Sequence, residues 1–322
     1  MLKKYIFKNC VSIEIKNDTY YPVRFSQKQF EFYKNYSDFV FIRSLCTADI
    51  YMEFNTTSEV ISFSCKLDNF VRKFCSFDIY ENGEFMETRN FTGQPETIDI
   101  SYNKRKTGIS KITIYLPYHC QAGIYNLDAE IIAPDVQQKE RLKILAYGDS
   151  ITQGMFSEFT SYSYPLLIAK HFDADLLNQG VGGMPFCKDS LDSALKYKPD
   201  IITVAYGTID ITEFENYDEI VFNAQEYTEK LKKISGKADI YVTSPLNSPT
   251  LRLRLEHREA LHRLEWYPKF NNALMDICKK TGVNFINGSH LIPDMPEFYV
   301  AHGHPNAQGF LSYALNLAKH IK

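Results

Sequence analysis

Residues 142–154 read LKILAYGDSITQG, an apolar, β-rich run that breaks into Gly148-Asp149-Ser150. A serine hydroxyl on the turn leaving a buried strand stands where a nucleophile is held, because ligands of open α/β sheets sit beyond the carboxyl ends of the strands. Gly and Asp are also ordinary turn residues and Ser an ordinary helix cap, so the tripeptide draws its meaning from the rest of the chain. Three further segments bear on it. Asn178-Gln179-Gly180-Val181-Gly182-Gly183 follows the apolar run Asp175-Leu176-Leu177, Tyr206-Gly207-Thr208-Ile209-Asp210 ends Ile201-Ile202-Thr203-Val204-Ala205, and His304-Pro305-Asn306 precedes a C-terminal helical pattern. A neutral hydroxyl is a poor nucleophile, so an imidazole must take its proton during attack and return it to the leaving oxygen. The oxyanion that forms is stabilised by preorganised N–H groups in a site poor in water.

Such groups need strands to carry them and helices to cover the sheet. Beyond residue 141, apolar runs at 143–147, 175–177, 201–205, 240–243 and 283–286 alternate with helical stretches at 162–171, 217–234, 268–280 and 306–321. Five parallel strands are expected, with Pro268 opening its helix and Gly282 just past the end. The predicted architecture is α/β, a three-layer α/β/α sandwich of flavodoxin-like strand order. The earlier residues have a different texture. Short alternating runs at 11–15, 40–42, 50–54, 60–63, 77–80, 98–100, 112–115 and 128–131 predict a β-sandwich of jelly-roll type. Asn82-Gly83 between two runs predicts a type I′ hairpin. The polar residues 134–140 separate the two textures, so residues 1–138 are expected to form the sandwich and 139–322 the α/β/α domain.

In this chain order the four segments resemble the signature blocks of the SGNH (GDSL) hydrolase family, over roughly residues 141–322. The resemblance implies Ser150 as nucleophile, His304 as base, and the backbone amides of Ser150 and Gly183 as oxyanion donors. Gly183 is matched because it lies five residues after Asn178, with Gly182 the neighbouring alternative. The chain departs from the family twice. Where the family reads Gly-x-Asn-Asp, this chain has Gly207-Thr208-Ile209-Asp210, and Ile209 has no amide to donate. Loss of one such donor typically lowers turnover about a hundred- to a thousandfold. Where the family reads Asp-x-x-His, this chain has Ala301-His302-Gly303-His304, and Ala301 cannot orient the imidazole. Loss of the acid from a complete triad costs on the order of ten thousandfold.

Two readings follow. In the first, a Ser150–His304 dyad works with a main-chain carbonyl of residues 299–302, or Glu297 or Asp294, accepting the Nδ1 proton; some SGNH-type carbohydrate esterases use a carbonyl in place of the acid. In the second, the protein is a catalytically impaired SGNH-fold binder; a lipase or thioesterase is a further alternative that needs an apolar acyl channel. A β-sandwich before an SGNH domain resembles the layout of some carbohydrate acetylesterases, which implies a small-molecule or oligosaccharide ester as substrate. Asp210 and His302 are accessory candidates, His302 as an alternative base. Asp149 and Asp210 are also read as carboxylates that fix their loops by accepting backbone N–H bonds.

Composition bounds the rest. Lys plus Arg number 36 against 39 Asp plus Glu, which leaves no basic surplus to neutralise phosphates, so no nucleic acid partner is expected. Seven cysteines, scattered and never in Cys-x-x-Cys, predict neither a disulfide framework nor a metal site, and no cofactor is expected. The apolar stretch after Met1-Leu2-Lys3-Lys4 is cut by Lys8-Asn9, and no run approaches the roughly 18 residues of a membrane span, so a cytoplasmic protein without a membrane partner is expected. The oligomeric state is left open. Arg252, Arg254, Arg258 and Arg263 among leucines are read as the solvated face of an amphipathic segment, and Trp266 as core.

Overall fold

Alternation of apolar and polar side chains governs the first half of the chain, and it builds two antiparallel sheets. The computed structural model describes residues 3–132, 140–300 and 303–321, apart from the side chains of Thr250 and Arg254. The boundary expected near residue 138 lies outside the described residues, as do Ala301 and His302. One unit comprises Met1–Ser26, Phe41–Glu140 and Phe159–Ser161; the other comprises Gln27–Val40, Arg141–Glu158 and Tyr162–Lys322.

In the first unit the strands are β1 (Phe7–Lys8), β2 (Ser12–Lys16), β3 (Thr19–Val23), β4 (Tyr51–Thr56), β5 (Val60–Asp68), β6 (Phe74–Glu81), β7 (Glu84–Thr92), β8 (Thr97–Asn103), β9 (Ser110–Tyr115) and β10 (Gln121–Asp128). They form sheets of order β1-β4-β9-β6-β7 and β2-β3-β10-β5-β8, the expected sandwich. On β8, Ile98, Ile100 and Tyr102 are buried while Thr97, Asp99, Ser101 and Asn103 face water, the period of a half-buried strand. Phe63 of one sheet meets Phe77 of the other edge-to-face at 6.2 Å. Asn82 (φ 53°) and Gly83 (φ 84°) join β6 to β7 in the left-handed conformation that a type I′ turn requires. Asn17 and Asp18, both at positive φ, make a second such turn between β2 and β3.

Two expected strands are corrected. Residues 40–42 lie in a helix, α2 (Asp38–Leu45), next to α1 (Gln27–Tyr36). Ser37 Oγ accepts the Val40 N–H at 3.2 Å, and Asp38 sits in the first turn. This cap, with an acid at the positive end of the helix, overrides the β preference of Val-Phe-Ile. Residues 128–131 contain only the last residue of β10. That strand begins earlier, where Ala122-Gly123 hides the period; a Cβ on Gly123 would stand 2.4 Å from the Tyr21 ring, so only glycine fits.

The second unit is built on β11 (Lys143–Gly148), β12 (Asp175–Gly180), β13 (Ile201–Ala205), β14 (Asp239–Thr243) and β15 (Asn284–Ile286). All are parallel in the order β12-β11-β13-β14-β15, as the flavodoxin-like expectation requires. Its helices are α1, α3 (Tyr164–His171), α4 (Thr208–Glu213), α5 (Tyr217–Ile234), α6 (Pro249–His257), α7 (Trp266–Thr281) and α8 (Ala307–Ala318). Helix α3 packs on α8, and α5 on α7, which supplies the two outer layers. Gly148, Gly180, Ala205, Thr243 and Ile286 fall in one row of the register. The loops that follow therefore leave the same edge of the sheet, and the chain reverses direction across the sheet at β11, where α/β folds open a crevice.

Pro268 is the third residue of α7, not the first, because a 3-10 turn over Leu261–Glu265 runs directly into the helix. Arg263 departs from the solvated face. It is buried, donates to the Thr212 carbonyl at 2.9 Å, pairs with Glu215, and stacks on a half-buried Trp266. The break between α6 and the 3-10 turn ends the helical period that placed it outside. No disulfide joins any of the seven cysteines, all of which lie among the described residues. Among the described residues no helix is long and apolar enough to cross a membrane.

Candidate active site

Strand β11 delivers Ser150 half-buried at the row of strand ends. Asp149 Oδ1 accepts the Ile151 N–H at 2.9 Å, and the Gln153 and Met155 amides bond to the carbonyls of Asp149 and Ser150 at 3.0 and 2.9 Å. The turn is pinned from beneath. Asn178 Nδ2 donates to the Thr152 carbonyl (2.7 Å), and Thr152 Oγ1 shares a hydrogen bond with the Tyr164 hydroxyl (3.0 Å). Tyr164 stacks on Tyr313, whose hydroxyl reaches Thr243 Oγ1, so the floor of the turn is tied to α3, α8 and β14. Buried polar groups that are all satisfied hold a backbone in one shape, which is what a nucleophile needs.

His304 arrives from the other end of the unit. Its carbonyl accepts the Val300 N–H (2.8 Å), Tyr299 bridges Pro305, and Asn306 caps α8 by accepting the Gly309 N–H (3.0 Å). Gly303 turns the loop at φ 80°. The result is a distance of 2.7 Å between Ser150 Oγ and His304 Nε2, across 154 positions of sequence. Nδ1 points into the protein. Asp294 and Glu297 are exposed, and the Glu297 main chain holds Asn306 Nδ2 at 2.6 Å. His302, the alternative base, is outside the described residues.

Beside the serine turn, Val181 to Met184 make a tight turn closed by the Met184 N–H on the Val181 carbonyl (3.1 Å). Gly183 lies at its third position with φ 88°, where glycine is favoured. The Gly182 amide is committed to Gln153 Oε1 at 2.8 Å, and Gly182 is buried, whereas Gly183 is half-open. This separates the two glycines that one sequence leaves equivalent. A Cβ on Gly183 would come within 2.5 Å of the Phe39 ring, a side chain that is itself 56% exposed.

Ile209 is half-buried in the first turn of α4 and presents hydrocarbon where the family has an amide. Asp210 does not face solvent. It is fully buried, and its carboxylate accepts the Phe186 N–H at 3.1 Å. Burial pushes its carboxyl up to about 7, against the pull of the Phe186 N–H and with help from the Asp149 charge. Since the folded value lies above that of an unfolded chain, the unfolded state ionises first as pH rises. The stability Asp210 allows is therefore full below about pH 4 and lost by about pH 7, a difference of roughly 4 kcal/mol. Asp210→Asn keeps an oxygen for Phe186 and removes the charge, so its Tm should decline less than that of the wild type between those pH values. Thermal melts across that range test this; parallel curves would show that Asp210 does not titrate there.

Sequence reasoning names Ser150, Gly183, Asp210 and His304, and all four are contributed by the second unit. It does not find Gln153, Phe39, Phe156 or Gln29. Gln29 of α1 exchanges side-chain amide bonds with Gln179 at the end of β12 (2.9 and 3.1 Å), a pairing over 150 positions that carries no local signal. Among the described residues, no three His, Cys, Asp or Glu side chains are grouped to hold a metal ion.

Several solved structures share this fold. The chain is similar to the salicylyl-acyltransferase SsfX3 of a tetracycline biosynthetic pathway, with 16% identity, TM-score 0.72, and coverage of 97% of this chain and 92% of that one. It is similar to a putative GDSL-like lipase from Bacteroides ovatus (19% identity, TM-score 0.72, 98% and 94% coverage). A family two carbohydrate esterase from Clostridium thermocellum follows at 15% identity and TM-score 0.66, over 86% of this chain and 93% of that one. Identities this low establish the fold alone. No curated protein matches the sequence. Residues 146–310, more than half of the 322, match the GDSL-like lipase/acylhydrolase family and include Ser150, Gly183 and His304, and the chain belongs to that family.

Proposed function

We propose that the protein is a serine esterase that hydrolyses small acyl esters, acetyl esters of carbohydrate foremost, with Ser150 as nucleophile and His304 as general base. The observation that carries this reading is the 2.7 Å approach of Ser150 Oγ to His304 Nε2. As Oγ attacks the ester carbonyl carbon, Nε2 takes its proton, and the carbonyl oxygen becomes an oxyanion facing the Ser150 and Gly183 amides. The imidazolium then protonates the leaving alkoxide, and the acyl group stays on Ser150. Water, activated by the same nitrogen, attacks the acyl-enzyme, and collapse of the second tetrahedral intermediate returns the serine and releases the acid. This reading requires a neutral acceptor for the Nδ1 proton, which sets the tautomer; the exposure of Asp294 and Glu297 disfavours a carboxylate in that role.

Carbohydrate as the alcohol rests on the fold neighbours named for it, the family two carbohydrate esterase and an acetyl xylan esterase from Butyrivibrio proteoclasticus. A second reading, a binder that keeps the cleft without the rate, is favoured by one observation, the hydrocarbon of Ile209 at the position of the amide donor. A fluorophosphonate probe followed by peptide mass spectrometry distinguishes them. The esterase reading expects label on Ser150 and faster turnover of p-nitrophenyl acetate than of the octanoate. Folded protein without label supports the binder, and a preference for octanoate supports a lipase or thioesterase.

A further inference from the structure

We infer that Phe156 is a positioning residue for His304, supplying through its aromatic face part of the restraint that the missing carboxylate provides elsewhere in the family. The inference rests on the Ser150–His304 reading and goes beyond it. Phe156 follows the nucleophile by six residues, on the turn Gly154 to Ser157 that is closed by the Ser157 N–H on the Gly154 carbonyl at 3.1 Å. It occupies the third position of that turn with φ 68°, a left-handed conformation that a bulky side chain rarely adopts and that glycine or asparagine would take without strain. Strain of this kind persists where surrounding structure enforces it, and it clusters at functional sites. What the strained backbone does here is concrete: it turns the Phe156 ring onto the imidazole of His304, with centroids 4.6 Å apart and planes inclined by 41°.

Two consequences follow for the reaction. A ring packed on one face of the imidazole restricts rotation about its χ2, and so keeps Nε2 on Ser150 Oγ where Ala301 offers no carboxylate to do so. When the imidazole takes the serine proton it becomes a cation next to an aromatic face, within the roughly 6 Å over which such a face attracts positive charge. That attraction exists in the transition state and not with the neutral ring of the resting enzyme, so it acts on kcat rather than on KM.

The test compares Phe156→Leu, Phe156→Tyr and Phe156→Gly with the wild type on p-nitrophenyl acetate. The tyrosine keeps the aromatic face, the leucine keeps apolar bulk without it, and the glycine relaxes the backbone while removing the ring. We expect kcat to fall about tenfold in the leucine and glycine variants with KM unchanged, and to stay near wild type in the tyrosine variant. The His304 ring protons, followed by NMR, should move downfield in the leucine variant as the ring current of Phe156 is lost. A leucine or glycine variant with wild-type kcat overturns the inference, and so does an unmoved His304 resonance. Failure of the underlying reading is separate: it appears as wild-type protein that takes no fluorophosphonate on Ser150, whereas failure of the inference appears as wild type and Phe156→Leu labelling at equal rates.

Discussion

Ser150→Ala is expected to lower ester hydrolysis by at least about ten thousandfold, with folding unchanged, and the size of the fall reports on the missing acid. In a complete triad, removal of the serine costs about a millionfold and removal of the acid alone on the order of ten thousandfold. A triad that had simply lost its acid would stand only about a hundredfold above its serine-less background. A drop of that smaller size would mean that nothing has taken over from the carboxylate at Ala301. A larger drop means that the Nδ1 proton is held well enough by an uncharged group. The 2.7 Å approach of the two side chains is the reason to expect the larger one. Rates of p-nitrophenyl acetate hydrolysis, with circular dichroism to establish folding, settle the matter. A variant as fast as wild type would remove Ser150 from the mechanism.

Ile209→Asn should raise kcat by roughly a hundredfold and leave KM within a few-fold, because an amide donor placed at the oxyanion is worth about a hundred- to a thousandfold and acts on the transition state. Gly207, at φ 109°, precedes α4 directly, and a Cβ there would press on Pro245 and Phe270, so the start of this helix is held in place by packing. Residue 209 is half-buried at that helix start, at the position where the family carries the amide. The neighbouring Asp210 carboxylate is occupied with Phe186, which leaves the new amide to the site. Unchanged kcat in a folded variant would mean that the Ser150 and Gly183 amides are sufficient, or that position 209 does not face the oxyanion. The crystal structure of that variant with a phosphonate bound separates these, by whether the introduced side-chain amide contacts the phosphoryl oxygen.

Much of the fold is legible in the chain because its signals are local. The five apolar runs of the second unit, the helices over Tyr217–Ile234 and after Pro305 and the Asn82-Gly83 turn depend on residues within a few positions of one another. The strand at 40–42 is misread for the same reason: hydrophobic β-branched residues speak for a strand, and only the Ser37 cap and the acid after it reverse the preference. Helix α1 escapes because its partners, Gln179 and the Ser190 carbonyl, lie some 150 positions away.

The sequence by itself determined which residue types are present to do the chemistry, a serine after a buried strand, glycines after the next, a histidine before the last helix, and also which are missing, the amide at 209 and the carboxylate at 301. Those facts follow from covalent order and from periodicity, which a chain carries whether or not it is folded. Tertiary structure alone decided that Gly182 is spent on Gln153 while Gly183 is open, that Asp210 is buried, and that Phe156 lies on the imidazole. Each depends on through-space contacts between separate segments, whose geometry is set by how the sheet closes and the loops pack rather than by any neighbour in sequence.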